Sequence, residues 1–328
     1  MTQIVVADIG GTHARFARAR LEASCPPVIE TPRIYRVADY PSLSACWQRF
    51  ARDDGYTALP DRAAIAFAGP VTRETIRLTN SNWVIRRDHL ARDLGLTQVQ
   101  LVNDFEAVAH AVSRLSAEAM PALFGPDLPM PHSGTVTVIG PGTGLGVAMI
   151  AFSRGKTQII ATEGSHMDFP PLDALEDGVL ASLRRKYLRV SNERIISGPG
   201  LNNLYAALAE AGGGRVEILP DADLWGAALD GSNRLAREAL HRFCLSLGAV
   251  AGDLALAHGA HSVVLAGGLM QRLRDFLVSE SGFHGRFTAK GRSADLMRAI
   301  PVRLATLPDI GLLGAATAWR NMQPDEMG

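Results

Sequence analysis

Asp8-Ile9-Gly10-Gly11-Thr12 closes the apolar run Ile4-Val5-Val6-Ala7 with a carboxylate, two glycines and a hydroxyl. An uninterrupted run of small and β-branched residues reads as a strand buried on both faces, the kind found in α/β layers. At its end the chain presents an acid where a ligand must come close to the backbone. Glycine has no side chain to hold an anion away, so successive N–H groups can converge on it, with the Thr12 hydroxyl alongside. The stretch predicts a phosphate loop. A carboxylate there makes sense if a divalent cation lies between Asp8 and the phosphates, directly or through water. The competing reading is a plain turn, because Asp followed by Gly-Gly is also turn chemistry.

Two other segments repeat the plan. Thr135-Val136-Thr137-Val138-Ile139 breaks into Gly140-Pro141-Gly142-Thr143-Gly144-Leu145-Gly146 and resumes as Val147-Ala148-Met149-Ile150, which duplicates residues 4–17 without the acid. Ala266-Gly267-Gly268 follows the strand-like Ser262-Val263-Val264-Leu265. Three such turns can bracket a nucleotide from its phosphates to its base. The common nucleotide fingerprints are excluded. A G-x-G-x-x-G in the second loop would need glycine at Leu145 or Val147, and Gly155-Lys156-Thr157 has Ile150 where a P-loop requires its first glycine. That tripeptide reads instead as a hairpin tip with an exposed lysine.

The 328 residues make two domains the natural expectation, and 47% hydrophobic with 20% charged residues is ordinary globular composition. Thirty-three basic residues balance thirty-three acidic ones, and no basic run is present to follow nucleic acid. Cys25, Cys46 and Cys244 are scattered, which argues against a disulfide framework or a zinc site and for free thiols in a reducing, cytoplasmic compartment. No secretory signal is visible, and the most apolar stretch, Phe243 to His258, contains Asp253 and reads as a buried helix rather than a membrane span.

The first hundred residues alternate strand-like and helix-like patterns: strands at 3–8, 13–20 and 63–68, a helix from Arg87 to Leu94, and a strand at 99–102. Asn103-Asp104 closes that strand before a helix at 105–112. The proline-rich Gly125 to Pro131 reads as a separator between halves. Further helices are expected at about 173–187, 199–212 and 232–258, and a last one after Pro308 with Asp309 as its cap.

Asp104 stands where ligands bind in open α/β sheets, at a strand's carboxyl end, although an Asp before a helix is also a preferred N-cap. Glu163 and His166, in Thr162-Glu163-Gly164-Ser165-His166, place a carboxylate and an imidazole two small residues apart. Each hydroxyl of a polyhydroxyl ligand can donate to a carboxylate and accept from an N–H, so Glu, Asn and His together suit a hexose. A solvated turn is the alternative. No metalloprotease-type histidine spacing is present.

These residues carry a family resemblance. Asp8 to Thr12 with Ala14-Arg15, Leu101-Val102-Asn103-Asp104-Phe105, Glu163-Gly164-Ser165-His166 with Asp168-Phe169, Ser197-Gly198-Pro199-Gly200-Leu201 and Ala266-Gly267-Gly268 occur in the order found in bacterial ATP-dependent glucokinases. The chain resembles them over nearly its whole length and lacks the cysteine-rich zinc motif of the related repressor and sugar-kinase family. The resemblance implies an α/β fold of two ribonuclease-H-like, actin-like ATPase domains flanking a nucleotide and sugar cleft. Residues 1–112, completed by a C-terminal helix at 308–322, would form the smaller domain, and 113–307 the larger. It further implies transfer of the γ-phosphoryl group of Mg-ATP to the 6-hydroxyl of glucose, in a cytoplasmic homodimer without nucleic-acid or membrane partners. Asp104 would be the general base, and Asn103, Asp104, Glu163, His166 and Glu193 would hold the sugar. Asp8, Ile9, Gly10, Gly11, Thr12, His13, Gly142, Thr143, Gly144, Gly267 and Gly268 would hold the nucleotide, with Asp8 meeting magnesium through water. Glu193 sits in what otherwise looks like a surface turn, and only its place before Ile195 to Gly200 matches the family. His13 stands where the family has asparagine, and Ser165 where a second glycine is usual. The alternatives are a kinase for another hexose or an amino sugar, or a non-catalytic sugar-sensing regulator. A regulator would need a DNA-binding extension, and the chain enters a strand at once.

Overall fold

The computed structural model describes residues 2–322 apart from 23, 24, 54, 56, 57, 70, 79, 80 and 214–218. The chain forms two compact units, Met1–Leu115 with Leu307–Gly328, and Ser116–Thr306.

In the first unit, β1 (Thr2–Ile9) and β2 (His13–Leu21) form an antiparallel pair that sets Asp8 opposite Arg15. β3 (Val28–Ile29) and β4 (Arg33–Arg36) both pair with β2. After helix α1 (Leu43–Asp53), β5 (Arg62–Phe67) joins β1 in parallel. A hairpin of β6 (Thr75–Arg77) and β7 (Val84–Arg86) and the short α2 (Leu90–Leu94) precede β8 (Gln98–Asn103) and α3 (Asp104–Val112). The sheet runs β3-β2-β1-β5-β8. β1 is apolar from Ile4 to Ala7 because its two faces enter two cores. Val5, Ala7 and Ile9 pack with Phe16, Trp47, Phe50 and Phe67, while Ile4 and Val6 pack with Val102, Ala107, Leu312 and Trp319. The second core is closed by the C-terminal helix Ile310–Met322, which lies against α3.

In the second unit, β9 (Ala122–Phe124), β10 (Gly134–Pro141), β11 (Leu145–Ser153) and β12 (Lys156–Thr162) are followed by α4 (Ala174–Tyr187), α5 (Asn192–Ile195), α6 (Gly200–Ala211), α7 (Asp221–Asp230) and α8 (Arg234–His258). β13 (Ala260–Leu265), α9 (Gly268–Ser279), α10 (Phe283–Thr288), α11 (Ala294–Arg298) and β14 (Val302–Leu304) complete it, with strand order β12-β11-β10-β13-β14-β9. α8 is long and apolar enough to cross a membrane, yet Leu240, Phe243, Leu247, Val250 and Leu254 lie in the core of this unit. The Gly155-Lys156 hairpin tip is as read: Arg154 and Gly155 both have positive φ, the form that matches strand twist in a two-residue turn, and Lys156 is exposed.

Three local expectations change. The proline-rich loop is not a separator but part of the second unit, where Arg303 donates to the Asp127 carboxylate at 2.8 Å and to the Met120 carbonyl at 2.7 Å. The helix expected from Arg87 starts at Leu90, because residues 87–89 form a turn. Asp309 does not cap the last helix with its side chain. Its φ is +51°, its carbonyl accepts from Leu312 N–H at 2.9 Å, and its carboxylate faces Arg15.

Candidate active site

In the first unit, Ile9, Phe67 and Asn103 are level across β1, β5 and β8, so Asp8 and Asp104 leave the sheet at one edge. Asn103, not Asp104, caps α3. Its Oδ1 accepts from Phe105 N–H at 2.9 Å and Glu106 N–H at 3.1 Å, and Glu106 returns a bond to the Asn103 N–H, completing a capping box. The Asn103 Nδ2 donates to the Gly69 carbonyl at 3.1 Å. With Oδ1 doubly occupied, this amide has one N–H left to offer a ligand. Asp104 occupies the first helical position, released from capping.

Burial pushes the Asp104 carboxyl up to about 6, helped by the negative charge of Asp8. Asp8 is itself raised, chiefly by burial, with the Arg15 guanidinium pulling it back and Asp309 adding to the rise. Arg15 Nη1 stands 3.5 Å from Asp8 Oδ2, and its Nε stands 3.6 Å from Asp309 Oδ1. A methyl on Gly311 would come within 2.9 Å of Asp8 Oδ2, so glycine there leaves the carboxylate its space. Within the first loop the Gly10 N–H is taken by the His13 carbonyl at 2.9 Å, while Gly11 and Thr12 N–H carry no partner among the described residues. The His13 side chain is exposed at the start of β2.

In the second unit, β10 and β13 are parallel neighbours with Ile139 level with Leu265, so the turns at Gly140–Gly146 and Gly267-Gly268 emerge side by side. Gly267, at φ +97°, opens α9, a helix N-terminus of the kind that receives anions. The Gly142 N–H bonds to the Gly144 carbonyl at 2.8 Å, and Gly198 N–H donates to the Gly142 carbonyl at 2.7 Å, which fixes Thr143 in the turn. Glu193 leaves the surface role its local sequence suggests. Its Oε2 accepts from Leu145 N–H at 3.0 Å, and a side chain on Gly144 would collide with this carboxylate. Glu163 and His166 flank a 3-10 turn, Gly164–His166, at the end of β12, level with the glycine turns across β11. Both side chains are exposed, with Glu163 Oε2 3.7 Å from His166 Nε2. Ser165, the departure from glycine, is buried in the same turn.

A model of the glucokinase family matches residues 5–322. The glucokinase of Zymomonas mobilis is 50% identical over 319 residues, 97% of this chain and 98% of its own. The chain belongs to the glucokinase family. The crystal structure of a glucokinase from an Antarctic psychrotroph superposes with a TM-score of 0.83 at 31% identity, covering 98% of this chain and 99% of that one. A ROK-family glucokinase from Streptomyces griseus, solved with glucose and AMPPNP, shares the fold at 19% identity and a TM-score of 0.63, over 97% and 99% of the two chains. Family membership makes this protein a hexose kinase.

Motif reading assigned no site role to Arg15 or Gly311 and gave Asp309 only that of a helix cap. Arg15 was discoverable, since an antiparallel hairpin about Gly10-Gly11 sets it opposite Asp8. Asp309 and Gly311 come from the far end of the chain and carry no local sign of their neighbours.

Proposed function

We propose that this chain transfers the γ-phosphoryl group of Mg-ATP to the 6-hydroxyl of D-glucose, giving glucose 6-phosphate and ADP, with Asp104 as the general base. The observation that carries the reading is a half-buried carboxyl, freed from capping, whose proton affinity is raised toward neutrality, as a base working near pH 7 requires. Asp104 takes the hydroxyl proton as the sugar oxygen bonds to phosphorus and the bond to ADP breaks. Asn103 donates to a sugar oxygen through its remaining N–H, and Glu163, His166 and Glu193 engage the other hydroxyls. The free amides of Gly11 and Thr12 and the turns at Gly142 to Gly144 and Gly267-Gly268 suit phosphate oxygens. The ATP assignment is supported by the AMPPNP seen in the Streptomyces relative.

Magnesium fits the first unit. Burial raises both Asp8 and Asp104, and the negative charge of Asp8 adds to the rise at Asp104, a cost to the ionised pair that a cation relieves. No group of three metal-ligating side chains exists among the described residues. A magnesium ion there would be held by a carboxylate, phosphates and water, and would offset charge on the transferring group.

A coupled assay over a panel of sugars and phosphoryl donors should single out glucose and ATP. Glu163→Ala and His166→Ala should each raise the glucose KM about ten- to a hundredfold, the cost of losing a hydrogen bond to a charged group, and leave the ATP KM alone. Equal effects on both substrates would assign these residues to structure. In the free enzyme, kcat/KM should fall as pH drops through about 6, because the protonated Asp104 cannot accept the hydroxyl proton. A profile flat down to pH 5 would remove Asp104 from the rate.

A further inference from the structure

The chain leaves α4 through an unusual corner. Leu188 has φ +59° and ψ −60°, is 89% exposed, and is bridged by a hydrogen bond from Arg189 N–H to the Tyr187 carbonyl at 2.6 Å. This is the rarer, strained form of the γ-turn, held here by a β-carbon-bearing residue that buries nothing. The corner reverses the chain so that residues 189–192 run beside 166–169. Phe169 N–H donates to the Val190 carbonyl at 3.0 Å and Asn192 N–H to the Met167 carbonyl at 2.9 Å, with Asp168 and Ser191 forming an antiparallel bridge. The first side chain after the corner is Arg189. Its Nη2 donates to the His166 carbonyl at 2.6 Å and its Nε meets Asp168 Oδ1 at 2.7 Å. The 3-10 turn Gly164–His166 ends at that carbonyl, and the last carbonyls of a helical turn lack partners within it. Arg189 therefore closes the turn that presents Glu163 and His166, and the bridged segment it heads runs directly into α5, which carries Glu193.

We propose that Arg189 is a positioning residue for sugar recognition, fixing the Glu163–His166 turn in register with Glu193 through this clip. The inference rests on the reading that Glu163, His166 and Glu193 grip the sugar. The planar guanidinium reaches the carbonyl and the carboxylate together, which a single ammonium cannot do in the same geometry. An exposed ion pair contributes little to stability on its own, so the value of the corner lies in the placement of Arg189 rather than in holding the fold.

The test compares glucose KM, ATP KM, kcat and melting temperature for the wild type, Glu163→Ala, Arg189→Ala, Arg189→Lys and the double variant Glu163→Ala/Arg189→Ala. Arg189→Ala should raise glucose KM about tenfold, the order expected for one lost hydrogen bond at a binding site, with ATP KM and melting temperature unchanged. Arg189→Lys should fall between it and the wild type. In the double variant the effects should combine to less than their product, because Arg189 acts through the turn that Glu163 occupies. An unchanged glucose KM in Arg189→Ala beside a raised one in Glu163→Ala overturns the positioning role alone. So does a parallel rise in both KM values with a lower melting temperature. An unchanged KM in Glu163→Ala overturns the sugar-binding reading, and the inference falls with it.

Discussion

Asp104→Asn is expected to lower turnover by about two to four orders of magnitude, the usual contribution of a general base, with glucose still bound. The same substitution should make the protein more stable. A carboxyl raised to about 6 by burial costs the folded state nothing below its unfolded value near 3.8, and the cost grows with pH until it is complete above about 6. At pH 7 this amounts to roughly 3 kcal/mol at most. The asparagine variant, which never ionises, should escape it. Denaturant titrations of the two proteins should differ at pH 7 and converge near pH 4. Near-normal turnover in the variant would reduce Asp104 to a residue that only meets the Phe105 N–H, which its Oδ1 accepts at 2.9 Å.

Gly314→Ala should produce the largest loss of stability. At Gly314 the C-terminal helix meets α3 backbone to backbone, and an added methyl would be driven into the carbonyl of Ala107. No flexible side chain is there to yield, so the helices must separate, at about 3 kcal/mol or more, the upper range for overpacking. α3 carries Asp104 at its start, hence turnover should fall as well. Gly178→Ala is the matched control, because Gly178 is helical, exposed and has no atom within 4 Å of the new methyl. It should stabilise by about 0.8 to 1 kcal/mol through helix propensity. Equal urea midpoints for the two variants would refute the close-crossing account.

The parts of the fold legible in the sequence are those whose burial pattern is local. β1 and β10 read as strands because both faces are buried, and the glycine turns after β1, β10 and β13 interrupt apolar runs sharply. α10 was illegible: Phe283-His284-Gly285-Arg286-Phe287-Thr288 is six residues long with a glycine inside, and its two phenylalanines enter the core without a repeat long enough to show a period. The α3 cap was legible but ambiguous. Asn103-Asp104 offers two capping residues, and the glutamate three positions after Asn103 decides between them. Glu193 lay beyond local reading, since its partner Leu145 is 48 residues away. The Arg15–Asp309 contact depends in the same way on chain closure.

The C-terminal helix also sets an order of events in synthesis. Ser116–Thr306 is one continuous segment, complete before the last residues are made, whereas Met1–Leu115 waits for Leu307 onward. Until Leu312, Ala315 and Trp319 emerge, Ile4, Val6 and Val102 have only part of their cover, from α3 at Ala107. Strand β1 is thus made early and fully buried late, so the nascent chain carries a partly open apolar face while the second unit is being made. Exposed surface of this kind is what chaperones bind and aggregates grow from. The helix that packs against α3, the element that starts at Asp104, is thus made only after the whole of the second unit, and the first unit cannot close its core before then.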